Sequence, residues 1–129
     1  MRFSYSLAVP ADTPQLQPAV SSIKLVKGRL ARLRVQFLRG PHNLVSVVVR
    51  EGMLQIAPAA DSDAFFGDGS IEEMPMEYPL SDPAPELTLV GWSPGSRYPH
   101  LVSFYFDVEP EGEEDVKSLL QRLVAAPGR

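Results

Sequence analysis

The sequence predicts an all-β fold: an antiparallel β-sandwich of jelly-roll or immunoglobulin-like type, with about eight strands and one C-terminal amphipathic helix. Three observations predict it. Runs alternating apolar and polar side chains recur at spacings near ten residues, the period of half-buried strands. Most of the 13 prolines and 9 glycines fall between or at the margins of those runs. Only after residue 110 does the apolar spacing change to that of a helix.

The 129 residues suffice for one core,. We assign residues 1–110 to the sandwich and residues 111–129 to a helix and tail. At 44% apolar and 22% charged the composition is that of an ordinary globular chain,. The start MRFSYSLAVPAD lacks the apolar run of a signal peptide, and no stretch approaches the roughly 20 apolar residues of a membrane span. No membrane contact is therefore expected. With no cysteine, disulfides and thiolate chemistry are excluded,.

Strand one is Arg2–Val9, where Phe3, Tyr5, Leu7 and Val9 share one face. The Pro-rich arm 10–18 follows, with prolines at 10, 14 and 18 that oppose a helix and suit a passage from one sheet to the other. Residues 20–26 read as strand two. In strand three, residues 29–38, Leu33, Val35 and Phe37 alternate with Arg32, Arg34 and Gln36, which places a basic stripe on the outer face. Gly40-Pro41 turns the chain into the Val-rich strand four, residues 44–50, and Glu51-Gly52 into strand five, residues 53–57. A loop, 58–69, is rich in Asp and Gly. Strand six, residues 70–78, contains Pro75 and precedes Pro79, so it is an edge or bulged strand. Strands seven and eight, 86–92 and 101–110, flank the loop SPGSRYPH; Val102, Phe104, Phe106 and Val108 form the inner face of the last. In the tail Val116, Leu119, Leu120, Leu123 and Val124 recur at helical spacing behind Glu113 to Asp115. That helix is expected to dock on its own chain or on a neighbouring copy.

Charge is divided along the chain. Residues 1–50 hold eight Lys/Arg and the single acid Asp12; residues 51–129 hold four Lys/Arg and fifteen acids, for a net charge of −4. Either the two halves form opposed surfaces that favour head-to-tail packing of copies, or their strands interleave and the charges pair locally. Nucleic acid is not expected as a partner, because the chain is acidic and no aromatic stacking motif accompanies the arginines.

Signals for chemistry are sparse. His42 and His100 sit in turns beside prolines with no GxSxG elbow, so no catalytic residue is assigned and the chain is read as non-enzymatic. Asp61, Asp63, Asp68 and Glu72 match the span of an EF-hand loop, but Phe65 and Phe66 occupy positions where a ligand and the required glycine should stand. No metal and no cofactor is assigned. Trp92, Arg97, Tyr98 and His100 form an aromatic loop suited to stacking on sugars or anchoring a protein; Arg32 and Arg34 are the other candidate contacts. For Trp92, burial in the core is the competing reading.

Taken together, YSLAVPADTPQLQP, VQFLRGPHNLVSVVV and ELTLVGWSPGSRYPHLVSFYF resemble, in order and spacing, a family of small β proteins of tailed phages and prophage regions. The motif residues are Tyr5, Pro10, Ala11, Thr13 and Pro14; Phe37, Gly40 and Pro41; then Gly91, Trp92, Tyr98, Pro99 and His100. The chain departs from the family at Asp12 and Ser93, where Asn is usual, and in its C-terminal helix. The resemblance implies a virion accessory or decoration-type protein, assembled in the host cytoplasm through contacts with other virion proteins or copies of itself as a homo-oligomer. The alternative is a carbohydrate- or receptor-binding module using the 92–100 loop.

Overall fold

The computed structural model describes residues 1–60 and 62–110. The helix expected over 111–129 lies outside the described residues. Among the described residues nine strands form: β1 Arg2–Val9, β2 Ala19–Lys24, β3 Gly28–Phe37, β4 Ser46–Glu51, β5 Leu54–Ala57, β6 Phe65–Phe66, β7 Ile71–Leu80, β8 Glu86–Trp92 and β9 His100–Pro110. The extra strand is the two-residue β6, inside what the sequence presents as a loop. It pairs Phe66 with Ser46 and Phe65 with Val47, too short a run for alternation to reveal.

The strands make two sheets, β1-β9-β3-β7 and β2-β8-β4-β5, with β6 also pairing β4. Every pairing is antiparallel. The partners β1·β9, β2·β8, β3·β7 and β4·β5 trace one long two-stranded ribbon folded over itself, so the chain changes sheet at almost every connection. That explains the length of two loops. The arm 10–18 and the loop 93–99 each cross between sheets, whereas a two-residue hairpin joins only neighbours within one. β7 is an edge strand, as Pro75 and Pro79 require: a proline there removes no hydrogen bond that a central strand needs,.

Inward alternation from both sheets fills the core. Leu7, Val9, Leu33, Val35, Phe37, Val47, Val49, Leu87, Leu89, Val102, Phe104, Phe106 and Val108 are all buried in it. Phe104 and Phe106 lie at 6.4 Å with rings nearly parallel, and Tyr5 meets Phe106 edge-on. Each buried Phe contributes on the order of 1.5–3 kcal/mol. Gly91 sits where the other sheet leaves no room for a side chain: a Cβ there would stand 2.8 Å from Val9 Cγ2 and 2.9 Å from Leu7 Cδ2.

The two charge halves interleave. The basic strand β3 lies between acidic β7 and β9, so local pairing wins over opposed surfaces. On this outer face Arg32 bonds Glu73 at 2.7 Å, Arg29 bonds Glu109 at 2.7 Å, and Arg2 bonds Asp107 at 2.9 Å. The hydrogen bond from Arg2 holds the Asp107 carboxyl below the usual carboxylate range. On the same sheet's inner margin, partial burial and then its hydrogen bond to Glu51 push the Tyr78 hydroxyl up to about 12.

Candidate functional site

Register places the connections 10–18, 38–45 and 93–99 at one end of the sandwich, because Val9 pairs His100, Ala19 pairs Gly91, and Phe37 pairs Val102. The other end carries Met1, the β4–β5 hairpin and Pro110, with Gly28 opposite Pro110 and Leu80. The three motif segments, distant in sequence, therefore meet at the first end.

A polar lattice holds them there. Ser93 is fully buried; its Oγ donates to Pro10 O at 2.8 Å and accepts from Thr13 N at 3.2 Å. Thr13 Oγ1 also donates to Pro10 O, and Ser93 N donates to Thr13 O at 2.9 Å. Asp12, at φ 50, accepts from Gly95 N at 2.8 Å. Asp12 and Ser93 thus hold the 93–99 loop against the arm. They also restrict the arm: residues 10–13 are bound to their own chain, and only its later part, with Leu16 at 95% exposure, projects freely.

Facing this lattice, the β3–β4 loop folds through φ 122 at Gly40, 51 at His42 and 62 at Asn43. Asp68 fixes it by accepting from Gly40 N at 2.7 Å, with Oδ2 3.8 Å from His42 Nδ1. Between the loops lies an open cleft of about 600 Å³, lined by residues 40–42, Leu44 and residues 95–98 and by His100. Such a volume is in the range that takes a small molecule or a short peptide segment. Arg97 brings a guanidinium with no carboxylate partner among the described residues. Ser96 Oγ is occupied by Tyr98 O. Tyr98 is 70% exposed and Leu44 42%.

Three of the six residues singled out in the sequence, Arg97, Tyr98 and His100, share this cleft. Trp92 does not. It is half-buried on the outward face of the second sheet, opposite Ser46, outside both the cleft and the main core. It shares the outward face of β8 with Thr88 and Val90, while Leu87 and Leu89 turn into the core. Arg32 and Arg34 lie on the outer face of the other sheet, both reaching Glu73 at 2.7 and 3.6 Å, although Arg34 Nε has no partner. Pro41, His42 and Leu44 were missed as site residues. The family-like Gly40-Pro41 turn is the one local signal that could have marked them. Of the acidic loop, Asp68 turns to Gly40 rather than to Asp63, and among the described residues no three His, Asp or Glu side chains converge to hold a metal.

Exposed apolar side chains share the same end. Eleven large ones are exposed among the described residues. Leu16, Val20, Leu38, Leu44, Phe66, Ile71, Tyr98 and Leu101 lie at or beside the cleft end, and only Met1, Met53 and Leu54 at the other.

No protein-family model matches this chain, and no curated protein is similar to it in sequence. Similar folds include the CBM36-1 domain of a multidomain xylanase from the hindgut metagenome of Trinervitermes trinervoides. It has a TM-score of 0.47 and 7% identity, covering 83% of this chain and 98% of that one. The Yersinia pseudotuberculosis-derived mitogen gives 0.38 and 10%, covering 84% and 86%. A Bacillus endospore appendage, of a family of disulfide-linked pili, gives 0.33 and 9%, covering 84% and 88%. Likenesses this distant carry no functional argument, since one sandwich architecture hosts many functions.

Proposed function

We propose that this chain is a non-enzymatic, jelly-roll contact module of a phage virion, attached to its partners by the cleft end of the sandwich. One observation carries the reading: among the described residues, eight of the eleven exposed large apolar side chains lie toward the end where the family-like motifs converge, and two of them, Leu44 and Tyr98, line the cleft itself. Scattered surface leucines need no explanation, but a bias of exposed apolar side chains toward one end, two of them in a polar-lined depression, is what protein contact surfaces present. The ribbon-like winding of the strands supports the jelly-roll description. Viral capsid domains use that architecture, and so do lectins, an analogy of fold alone. Co-sedimentation of the purified chain with capsid or tail particles tests the reading. Binding lost in Leu44→Asp and Tyr98→Ala supports it; binding indifferent to both rejects it.

A second reading, carbohydrate binding in the same cleft, is favoured by its concavity and by the exposed Tyr98 ring beside Arg97 and two imidazoles,. A glycan array distinguishes it. A signal abolished by Tyr98→Ala and retained by Trp92→Ala supports a sugar ligand, and no glycan signal at all removes it.

A further inference from the structure

The cleft and the sequence that follows β9 are chemically complementary, and distance keeps them apart within one copy. Among the described residues Arg97 is a cleft cation with no ion pair. The carboxylates of Asp12 and Asp68 are held by Gly95 N and Gly40 N, Asp68 also lying 3.8 Å from His42, and neither pairs with Arg97. Beyond Pro110 the sequence places Glu111, Glu113, Glu114 and Asp115 within five residues, the densest acidic run of the chain.

β9 begins at His100, which lines the cleft, and runs unbroken to Pro110 at the opposite end. Ten residues of strand separate the two by roughly 33 Å. Five residues of fully extended chain reach at most about 18 Å. Residues 111–115 therefore cannot enter the cleft of their own copy, whatever path they take.

We propose that the cleft of one copy takes the acidic run 111–115 of a second copy. This rests on the preceding reading of the cleft end as the contact surface, and it names the partner: the same chain, offering carboxylates to Arg97 beside the apolar ring of Leu44 and Tyr98. Such a contact joins different surfaces of identical subunits, so it repeats head to tail and closes into a ring or extends as a filament.

Sedimentation velocity of the full chain, over a range of concentrations at low and raised salt, tests the inference. Wild type is expected to self-associate, and raised salt to weaken that association. Arg97→Glu, and separately the triple variant Glu111→Lys, Glu113→Lys, Glu114→Lys, should each weaken it at least about 10-fold. Mixing the two variants should restore a complex by exchanging the charges, a recovery that misfolded variants cannot produce. Wild type that stays monomeric, association unmoved by either variant, or a mixture that fails to recover overturns the inference. If wild type stays monomeric yet sediments with particles in a Leu44-dependent way, this inference falls and the contact reading stands. If self-association follows the charge exchange while particle binding ignores Leu44 and Tyr98, the attachment to particles fails and the self-contact stands.

Discussion

Two arginine-bearing surfaces of this sandwich read alike in the sequence and differ in what surrounds them. On the outer face of the first sheet, Arg2, Arg29, Arg32 and Arg34 each reach a carboxylate of β7 or β9. At the cleft end Arg97 reaches none among the described residues, and the exposed side chains of Leu44 and Tyr98 line the same cleft. The first surface has satisfied its charge by cross-strand pairing, which fixes neighbouring strands and leaves little to offer a partner. The second keeps charge and apolar area available together. A partner is recruited by what a surface has left unsatisfied rather than by how much charge it carries.

The comparison can be broken at several levels. The largest effect acts on both surfaces through the shared core. Phe104→Ala should lower stability by about 3–5 kcal/mol, read by chemical denaturation, because a fully buried ring leaves a cavity,. Next comes the lattice behind the cleft. Ser93→Ala leaves the buried Thr13 N without its acceptor, while Pro10 O keeps the Thr13 Oγ1 donor, at about 1–3 kcal/mol,. Its binding should fall with it, since the 93–99 loop loses its attachment to the arm. Breaking the Arg32–Glu73 pair of the outer sheet should cost no more than about 1 kcal/mol by double-mutant cycle, with particle binding unchanged,. A binding loss there would erase the contrast between the surfaces.

Two pH effects sharpen the same picture. The Tyr78 hydroxyl is raised from 10.0 to about 12, so its contribution is complete below pH 10 and lost as pH climbs through 12,. Tyr78→Phe should flatten that alkaline decline in a series of melts. For Asp107 the sign is opposite. Its carboxyl is depressed, so its contribution is present above the ordinary carboxylate range and disappears as pH falls below it; Arg2→Ala should remove this small acid-side slope,. The smallest effect falls at the cleft itself, where Tyr98→Ala should change stability by less than about 0.5 kcal/mol.

Much of the fold was legible because alternation reports burial directly. β1 and β8 begin and end where the pattern does, and the inner faces of β3 and β9 were correctly read from Leu33 to Val108. The rest depended on strand order. Nothing in strand three says that its arginines will lie between Glu73 and Asp107; only the winding of the ribbon brings acidic β7 and β9 to its two sides. The site was legible in half. The sequence marked Arg97, Tyr98 and His100, but Pro41, His42 and Leu44 join them through a loop about fifty residues away whose path Asp68 fixes from yet another connection. Trp92 shows the converse: chemical prominence in the sequence did not put it in the cleft.

The central claim is that the cleft end, and not the charged sheet, is the working surface. Its most direct test is a side-by-side particle co-sedimentation of two double variants, each shown to be folded by circular dichroism. Leu44→Asp with Tyr98→Ala should abolish binding, while Arg32→Ala with Arg34→Ala should bind as wild type does. The reverse pattern, binding kept by the first pair and lost by the second, would contradict the account.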